Sequence, residues 1–449
     1  MTHPTLFPDL PEPLPVPSMP PASPREVRVV RPVRNQAEMV IRDLDSNLPQ
    51  DHPARSIWSL IEQLDLSAFY ASIQAVSDGP GRSATDPKVL LALWVYATIE
   101  GIGSARHLAR LCEEHDAYRW LRGNVPINYH LLADFRVSHQ KAMDDLLTQV
   151  VAVLLKAKVV QLKRVAQDGM RVRASGGQAS FRREPSLRQC LEKARDQVQH
   201  VAREREHPDP GVSRREQAAR ERAVRERQER VEEALRYLPG VQAVKKRQAK
   251  HAGKARAAKL QEPRVSTTDP SARVMKMPDG GFRPAYNVQL ATDTESQVIV
   301  GVKVTNQGTD QGEARGVEEQ VAQRTGKHPK AYLIDGGFVN LEDIVALECQ
   351  GVTVYAPPKD CKEHELRKKR YQRKAAGSPA VAAWRERMGT EEAKRVYKER
   401  AAVAECVNAL MRSRYGLRRF TVRGLPKVSC VTLLVVLTHN LWRWMSLNN

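Results

Sequence analysis

The sequence predicts an α/β protein: a mixed sheet covered by helices, preceded by a helical region and interrupted by an inserted helical hairpin. Three observations lead there. Strand-like apolar runs end at Asp168 in LKRVAQDG and at Asp335 in KAYLIDGG. Tyr286, Val288 and Leu290 alternate, as do Val298, Val300, Val302 and Val304, across a polar turn from Thr292 to Ser296, which marks a hairpin. Long stretches before and between these strands carry apolar residues at helical spacing.

Taken in order, residues 1–50 are crowded with proline and are expected to form a disordered tail. Ser56 to Phe69 reads as a short amphipathic helix, and Thr85 to Gly123 as several helices, with Leu90, Leu93, Trp94 and Ala97 on one face. In EGIGSARHLARLCEEH, a glycine break and Ser104 as N-cap start a helix with Leu108 and Leu111 inward and Arg106, His107 and Arg110 outward. The pair is helix-turn-helix-like. Such a pair is as much ordinary packing as a DNA-docking unit, and Arg106 and Arg110 are its candidate DNA contacts. A helix from His130 to Lys156 leads into the first strand.

The resulting division is a tail (1–50), a helical, helix-turn-helix-like DNA-binding domain (51–157) and an α/β domain (158–449) with a helical insertion at 183–262. Within the insertion, Leu187, Leu191, Ala194, Val198 and Val201 are matched by Val231, Leu235 and Leu238 across a turn at HPDPG, 207–211. Its basic end, Lys245 to Lys259, reads equally as a phosphate contact or a solvated face. After the hairpin come helices at Gly312–Gln323 and Leu341–Glu348, a strand in VTVYAP, and VTLLVVL at 431–437. That last run is shorter than the roughly 20 residues of a membrane span and is read as a buried closing helix.

With 72 Lys and Arg against 52 Asp and Glu, the net charge of +20 points to a polyanionic partner. Six cysteines (Cys112, Cys190, Cys349, Cys361, Cys406, Cys430) include no CxxC pair, which argues against a zinc ribbon or a dense disulfide framework and fits a reduced, cytoplasmic setting. The N-terminus lacks the basic start and apolar core of a secretory signal.

Two carboxylates at the tips of apolar strands suggest metal-assisted chemistry, because close carboxylates repel unless a cation joins them, and hard oxygens favour Mg²⁺ or Mn²⁺. Either aspartate alone, standing before Gly, also fits a turn cap. A third carboxylate is sought on a later helix, and YKERAAVAECVNALMRSRYGLRRF offers Glu405, away from the Val403, Val407 and Leu410 stripe, with Glu399 as its rival. Asp293, Asp310 and Asp269 are read as a turn residue, a helix N-cap and a turn residue, and His439 and Asn440 as packing or capping groups. Two basic clusters are candidate DNA contacts: Arg367, Lys368, Lys369 and Arg370, and then Arg412, Arg414, Arg418, Arg419 and Arg423, interleaved with Tyr415 and Phe420 for base stacking. A solvated basic surface is the alternative for both.

The segments TDPKVLLALWVYATIEGIGSARHLARL, AQDGMRVRAS, TTDPSARVMK, YNVQLATD, AYLIDGGFVNLEDI, YKERAAVAECVNAL and FTVRGLPKVSCVTLLVVLTHNLWRW, in this order, resemble bacterial insertion-sequence transposases of the DDE type from about residue 56 onward. The resemblance implies a ribonuclease H-like catalytic domain, with Asp168, Asp335 and Glu405 as catalytic and metal-binding residues and Arg400 and Arg412 among the phosphate contacts. It implies two divalent ions about 4 Å apart, Mg²⁺ or Mn²⁺, serving both end cleavage and transfer of the 3′-hydroxyl into target DNA. It also implies DNA as partner, a homodimer to bring two ends together, a cytoplasmic, nucleoid-associated location and no membrane. Two departures stand out: Met170 where relatives often have Thr, and one additional residue between Arg400 and Glu405. They leave open a catalytically inactive DNA-binding remnant and a metal-dependent nuclease without strand transfer.

Overall fold

A long central strand, β1 (Arg164–Arg173), organises the chain, and its two edges are paired differently. One edge runs antiparallel to β5 (Phe282–Asp293), with Asp168 opposite Leu290; the other runs parallel to β7 (Ala331–Ile334), with Gln167 beside Ile334. β8 (Thr353–Tyr355) adds in parallel outside β7, while β4 (Arg273–Lys276) and β6 (Ile299–Thr305) share the far edge of β5, both antiparallel. The sheet is therefore mixed, with helices on its faces, as expected of a ribonuclease H-like domain. The computed structural model describes residues 43–75, 83–206, 211, 213–250, 262–358, 371–372 and 378–448. The proline-rich tail, most of HPDPG, the basic residues 251–259 and the cluster Arg367, Lys368, Lys369 and Arg370 lie outside them.

The hairpin differs from its sequence pattern in one respect. From Pro284 to Asp293 every residue of β5 is buried, so alternation there does not separate core from solvent. It separates two covered faces, Tyr286, Val288 and Leu290 from the buried polar Asn287 and Gln289. Where β5 and β6 slip in register, between Ala291 and Thr292, the side chain of Asn440 accepts from the Ile299 N–H at 2.9 Å and donates to its carbonyl at 2.8 Å. A helix is thereby tied to a buried edge strand.

The helical region starts with α1 (Pro53–Glu62) and α2 (Ser67–Tyr70), two helices where one was expected, because Asp65 accepts from the Ser67 N–H and closes a turn between them. In α3 (Pro87–Ile99), capped by Asp86, every residue except Lys88 is buried. A helix apolar all round belongs inside a core. α4 (Ala105–Glu114) has the expected Ser104 cap, and α5 (Asp116–Arg122) ends at Gly123 with φ of 55°. The expected 130–156 helix is two, α6 (Tyr129–Ser138) and α7 (Gln140–Lys156), broken at His139.

The insertion is a helical hairpin of α8 (Glu184–Glu206) and α9 (Arg214–Lys250), with Leu187, Ala234 and Leu238 buried together with Val265. Its two ends pair as a small sheet of β2 (Phe181–Arg182) and β3 (Val265–Ser266), which closes the excursion at its root. Beyond the hairpin follow α10 (Ala314–Thr325), α11 (Leu341–Cys349), α12 (Pro379–Met388), α13 (Glu391–Ser413) and α14 (Leu425–Asn448). α14 is long and apolar enough to cross a membrane, but 67% of its apolar window is buried in the protein, against α3, α6, α7 and β6. One hydrophobic core consequently runs from α1 to α14, and Leu44–Asn449 form one unit. The sequence boundary at 157/158 is a change of secondary structure within a shared core.

Asn440→Leu removes the side chain that satisfies both backbone groups of Ile299. Each orphaned buried group costs about 1–3 kcal/mol, so denaturant unfolding should show a loss of at least ~2 kcal/mol. A midpoint equal to that of the wild type would refute this tie.

Candidate active site

Asp168 lies in the middle of β1, not at its end, but at the point where pairing with β7 stops: Gln167 faces Ile334, and β1 continues to Arg173 against β5. Asp335 is the next residue after β7. In a parallel pair, register partners share a face, and neighbouring strands lie about 4.8 Å apart. Parallel pairing therefore sets the two aspartates side by side. Each also accepts from the N–H of its following glycine, at 3.0 Å for Asp168 and 2.8 Å for Asp335, and Asp335 caps a short 3₁₀ turn, Gly336–Phe338. The turn-cap reading fits Asp335 alone, since Asp168 and Gly169 both lie within β1.

α13 covers this face. Val396 packs on Ala166 and Leu333, Glu399 pairs with Arg164 at 2.6 Å, and Asn408 donates to Asp168 at 2.8 Å. Nine helical residues and four strand residues each span about 13 Å, so α13 runs alongside β1 from Arg164 to Asp168. Ala166 permits the close approach. Between those anchors, the Arg400 guanidinium lies 3.6 Å from an Asp168 oxygen and 3.8 Å from an Asp335 oxygen, with only 12% of its side chain exposed. Tyr397 donates to Asp335 at 3.4 Å.

Burial pushes the Asp168 carboxyl above the ordinary carboxylate range; Arg400 and the Gly169 N–H oppose the shift, and Asp310 and Asp335 add to it. Burial likewise raises the Tyr397 phenol.

Glu405 is not part of this group. It lies about 60° around α13 from Asn408, by the 100° per residue of an α-helix, and is exposed. The phase of the helix, set by Val396, Val403, Ala404 and Val407 packing inward, gives the place beside Asp168 to Asn408. Glu399, its rival, is taken up by Arg164. Among the described residues, no three His, Cys, Asp or Glu side chains are grouped to hold a metal ion. The pair Asp168 and Asp335 does fit one divalent cation in donor chemistry: hard carboxylate oxygens from both flank a single cationic group.

Asp310 was expected to cap a helix, and it does not. α10 begins at Ala314, preceded by Glu313, and the Asp310 carboxylate instead accepts from Arg171 through both oxygens at 2.9 Å, from Asn287 at 2.8 Å and from Gln289 at 2.7 Å. A Cβ on Gly169 would meet that carboxylate at 2.3 Å and Gln289 at 2.6 Å. Only glycine fits beside Asp168. Arg171, Asn287 and Gln289 are brought to one face by the pairing of β1 with β5. Asp293 and Asp269 are structural as expected: Asp293 accepts from Ser296 and from the Leu162 N–H, and buried Asp269 accepts from Tyr286 at 2.6 Å and from the Gly424 N–H before α14.

The candidate DNA contacts divide. Arg106 and Arg110 are exposed on α4, Arg106 over the Tyr129 ring and Arg110 beside Glu114 at 3.5 Å. Arg418 and Arg419 are exposed on a stretch whose backbone bonds Arg173, at the far end of β1. Arg412 is half-buried, and its carbonyl accepts from Arg418. Tyr415 and Phe420 correct the stacking expectation. They are 5% and 1% exposed and pack edge-on against His439 and Tyr286, so they support the basic stretch from inside.

A β6-β5-β1-β7-β8 mixed sheet flanked by helices, with aspartates at adjoining positions of its central parallel strands, is consistent with a ribonuclease H-like DDE domain. Residues 348–445 match the family model described as Transposase DDE domain, and residues 42–138 match Transposase domain (DUF772). Together the two matches indicate an insertion-sequence transposase of the DDE type. No curated relative and no solved structure matches it significantly.

Two outcomes test this geometry. Gly169→Ala should cost about 1–3 kcal/mol of stability by overpacking, read from denaturant midpoints. Asp168→Asn should melt higher than the wild type in metal-free buffer, with a larger gain at pH 8 than at pH 4. A carboxyl whose folded pKa is raised binds more protons folded than unfolded, so its wild-type contribution to stability falls as pH rises through that range. A gain that shrinks with pH would contradict the assignment.

Proposed function

We propose that this transposase cleaves the ends of its element and transfers the resulting 3′-hydroxyl into target DNA, using Asp168 and Asp335 as the core of the site. The observation that carries the reading is the convergence of these two aspartates on one buried cationic position. Asp168 and Asp335 would hold Mg²⁺ or Mn²⁺, which supplies activation of the attacking hydroxyl and stabilisation of the leaving oxygen. Asn408 and the Gly169 N–H orient the Asp168 carboxylate, and the Gly336 N–H orients that of Asp335. Asp310, clamped by Arg171, fixes the backbone beneath Asp168.

Glu405 is proposed as the third carboxylate. Of the glutamates on α13, Glu391 pairs with Lys394, Glu399 with Arg164, and Glu392 lies in the first turn. Glu405 remains, exposed and three residues before the Asn408 that faces Asp168. DNA would run over the exposed Arg418 and Arg419, five residues beyond Asp168 along the β1 line, about 17 Å at strand rise. Arg106 and Arg110, with the basic cluster at 367–370, are further proposed contacts. Action on two ends suggests a homodimer, and a cytoplasmic, nucleoid-associated location follows from the substrate.

The absence of a three-carboxylate group among the described residues favours, as second reading, a protein that binds element ends without cutting them. Incubation with element-end DNA, a supercoiled target and Mg²⁺ or Mn²⁺ separates the readings: joined products support transposition, cleavage alone a nuclease, and shifted intact DNA the binding remnant. Asp168→Asn, Asp335→Asn and Glu405→Gln should each lower joining by ~100-fold or more, the equivalent of about 2.7 kcal/mol or more of lost transition-state stabilisation. Glu399→Gln should retain joining. Loss in Glu399→Gln with full activity in Glu405→Gln would reverse the assignment of the third carboxylate.

A further inference from the structure

Arg400 is placed unlike a surface phosphate contact. Its guanidinium is buried between the two aspartates, yet at 3.6 and 3.8 Å it is too far for a normal hydrogen bond to either. Its Nε and Nη1 are buried without a hydrogen-bond partner. Asp168 meanwhile takes its hydrogen bonds from Asn408 and Gly169, and Asp335 from Gly336 and Tyr397. Arg400 supplies charge to the pair and little directional bonding. A group held in this way neutralises two carboxylates that would otherwise repel, and loses few bonds when it leaves.

We infer that Arg400 is a built-in counter-cation of the aspartate pair, competing with a divalent ion for the same two carboxylates and so holding metal affinity down in DNA-free protein. The inference rests on the reading of Asp168 and Asp335 as cation ligands. A guanidinium and a divalent ion cannot share this space without strong like-charge repulsion, so loading requires the arginine to move. On a stem of this length, a DNA phosphate is a partner that can satisfy the unpaired Nε and Nη1 groups, and bidentately. Substrate binding would then open the pair to metal, which restricts cutting to the protein–DNA complex.

The test is Mn²⁺ binding by calorimetry to the full-length, DNA-free chain, with Asp168→Asn/Asp335→Asn as the blank. Arg400→Gln should bind Mn²⁺ at least about fivefold tighter than the wild type, with the gain abolished in the blank's background. Arg400→Lys, which keeps the charge, should stay within about twofold. Equal or weaker binding by folded Arg400→Gln overturns the inference and leaves the aspartate site standing. Wild-type binding that persists unchanged in the blank overturns the site reading as well. If Arg400→Gln does not fold, the wild-type Arg400 Nε–H resonance decides the matter: it must shift on Mg²⁺ addition, and an unmoved signal overturns the proposal.

Discussion

The parallel pairing of β1 with β7 is the constraint on which the rest of the site depends. A one-residue slip in that pairing would turn every side chain of one strand to the opposite face, separating Asp168 from Asp335. Register is held from several directions at once. Gln167 bonds Gln289 and Tyr332 within the core at 2.9 and 2.7 Å, joining β5, β1 and β7 through buried side chains. Arg164 bonds Glu399 and Asp168 bonds Asn408, so α13 reads the same register from above. A polar network fully satisfied in the interior specifies one alignment, because any other leaves its members unpaired.

The placement of charge around this pairing follows from burial. Asp168 is withdrawn from water with a second carboxylate beside it, an arrangement that costs stability unless a cation intervenes. The protein meets that cost in layers. Asp310, which adds to the negative potential, is neutralised by a bidentate Arg171 on the other face of the sheet, and Arg400 serves the face that carries Asp168 and Asp335. The two arginines differ in how they are held. Arg171 forms two hydrogen bonds at 2.9 Å, whereas Arg400 forms ion pairs without close bonds. The first is built to stay and the second is free to exchange.

Much of this was legible in the chain itself, and the residues that were not share a physical reason. Asp168 and Asp335 stand out because each follows a strand-like apolar run and precedes glycine, a purely local signal, although β1 runs on past Asp168. Ser104 as an N-cap and the insertion at 183–262 are local in the same sense. The clamp on Asp310 joins β1, β5 and the loop before α10, and no window of sequence shows that Arg171, Asn287 and Gln289 share a face until β1 and β5 are paired. Tyr415 and Phe420, interleaved with arginines, look like stacking residues in a list of letters, but turning inward gives their rings a core to pack against. The phase of α13 is the subtlest case. Glu405 and Asn408 are three residues apart, and only packing against Ala166 and Leu333 decides which faces Asp168.

The closing helix shows why the helical region and the sheet cannot be treated as separable parts. α14 touches α3, α6 and α7 on one side and β6 on the other, and its beginning is fastened by Asp269 and Ser271, which accept from the Gly424 and Leu425 N–H groups. The same Asp269 accepts from Tyr286 of β5, whose ring meets Phe420. The basic stretch at 418–419 is thus suspended between β1 and the start of α14, and its position along the sheet is fixed by buried groups instead of by the arginines themselves. Exposed charge held at a set distance from two carboxylates needs such an anchor, since exposed arginine side chains hold no geometry of their own. The apolar C-terminal helix, which by composition alone resembles a membrane span, supplies that anchor by being buried.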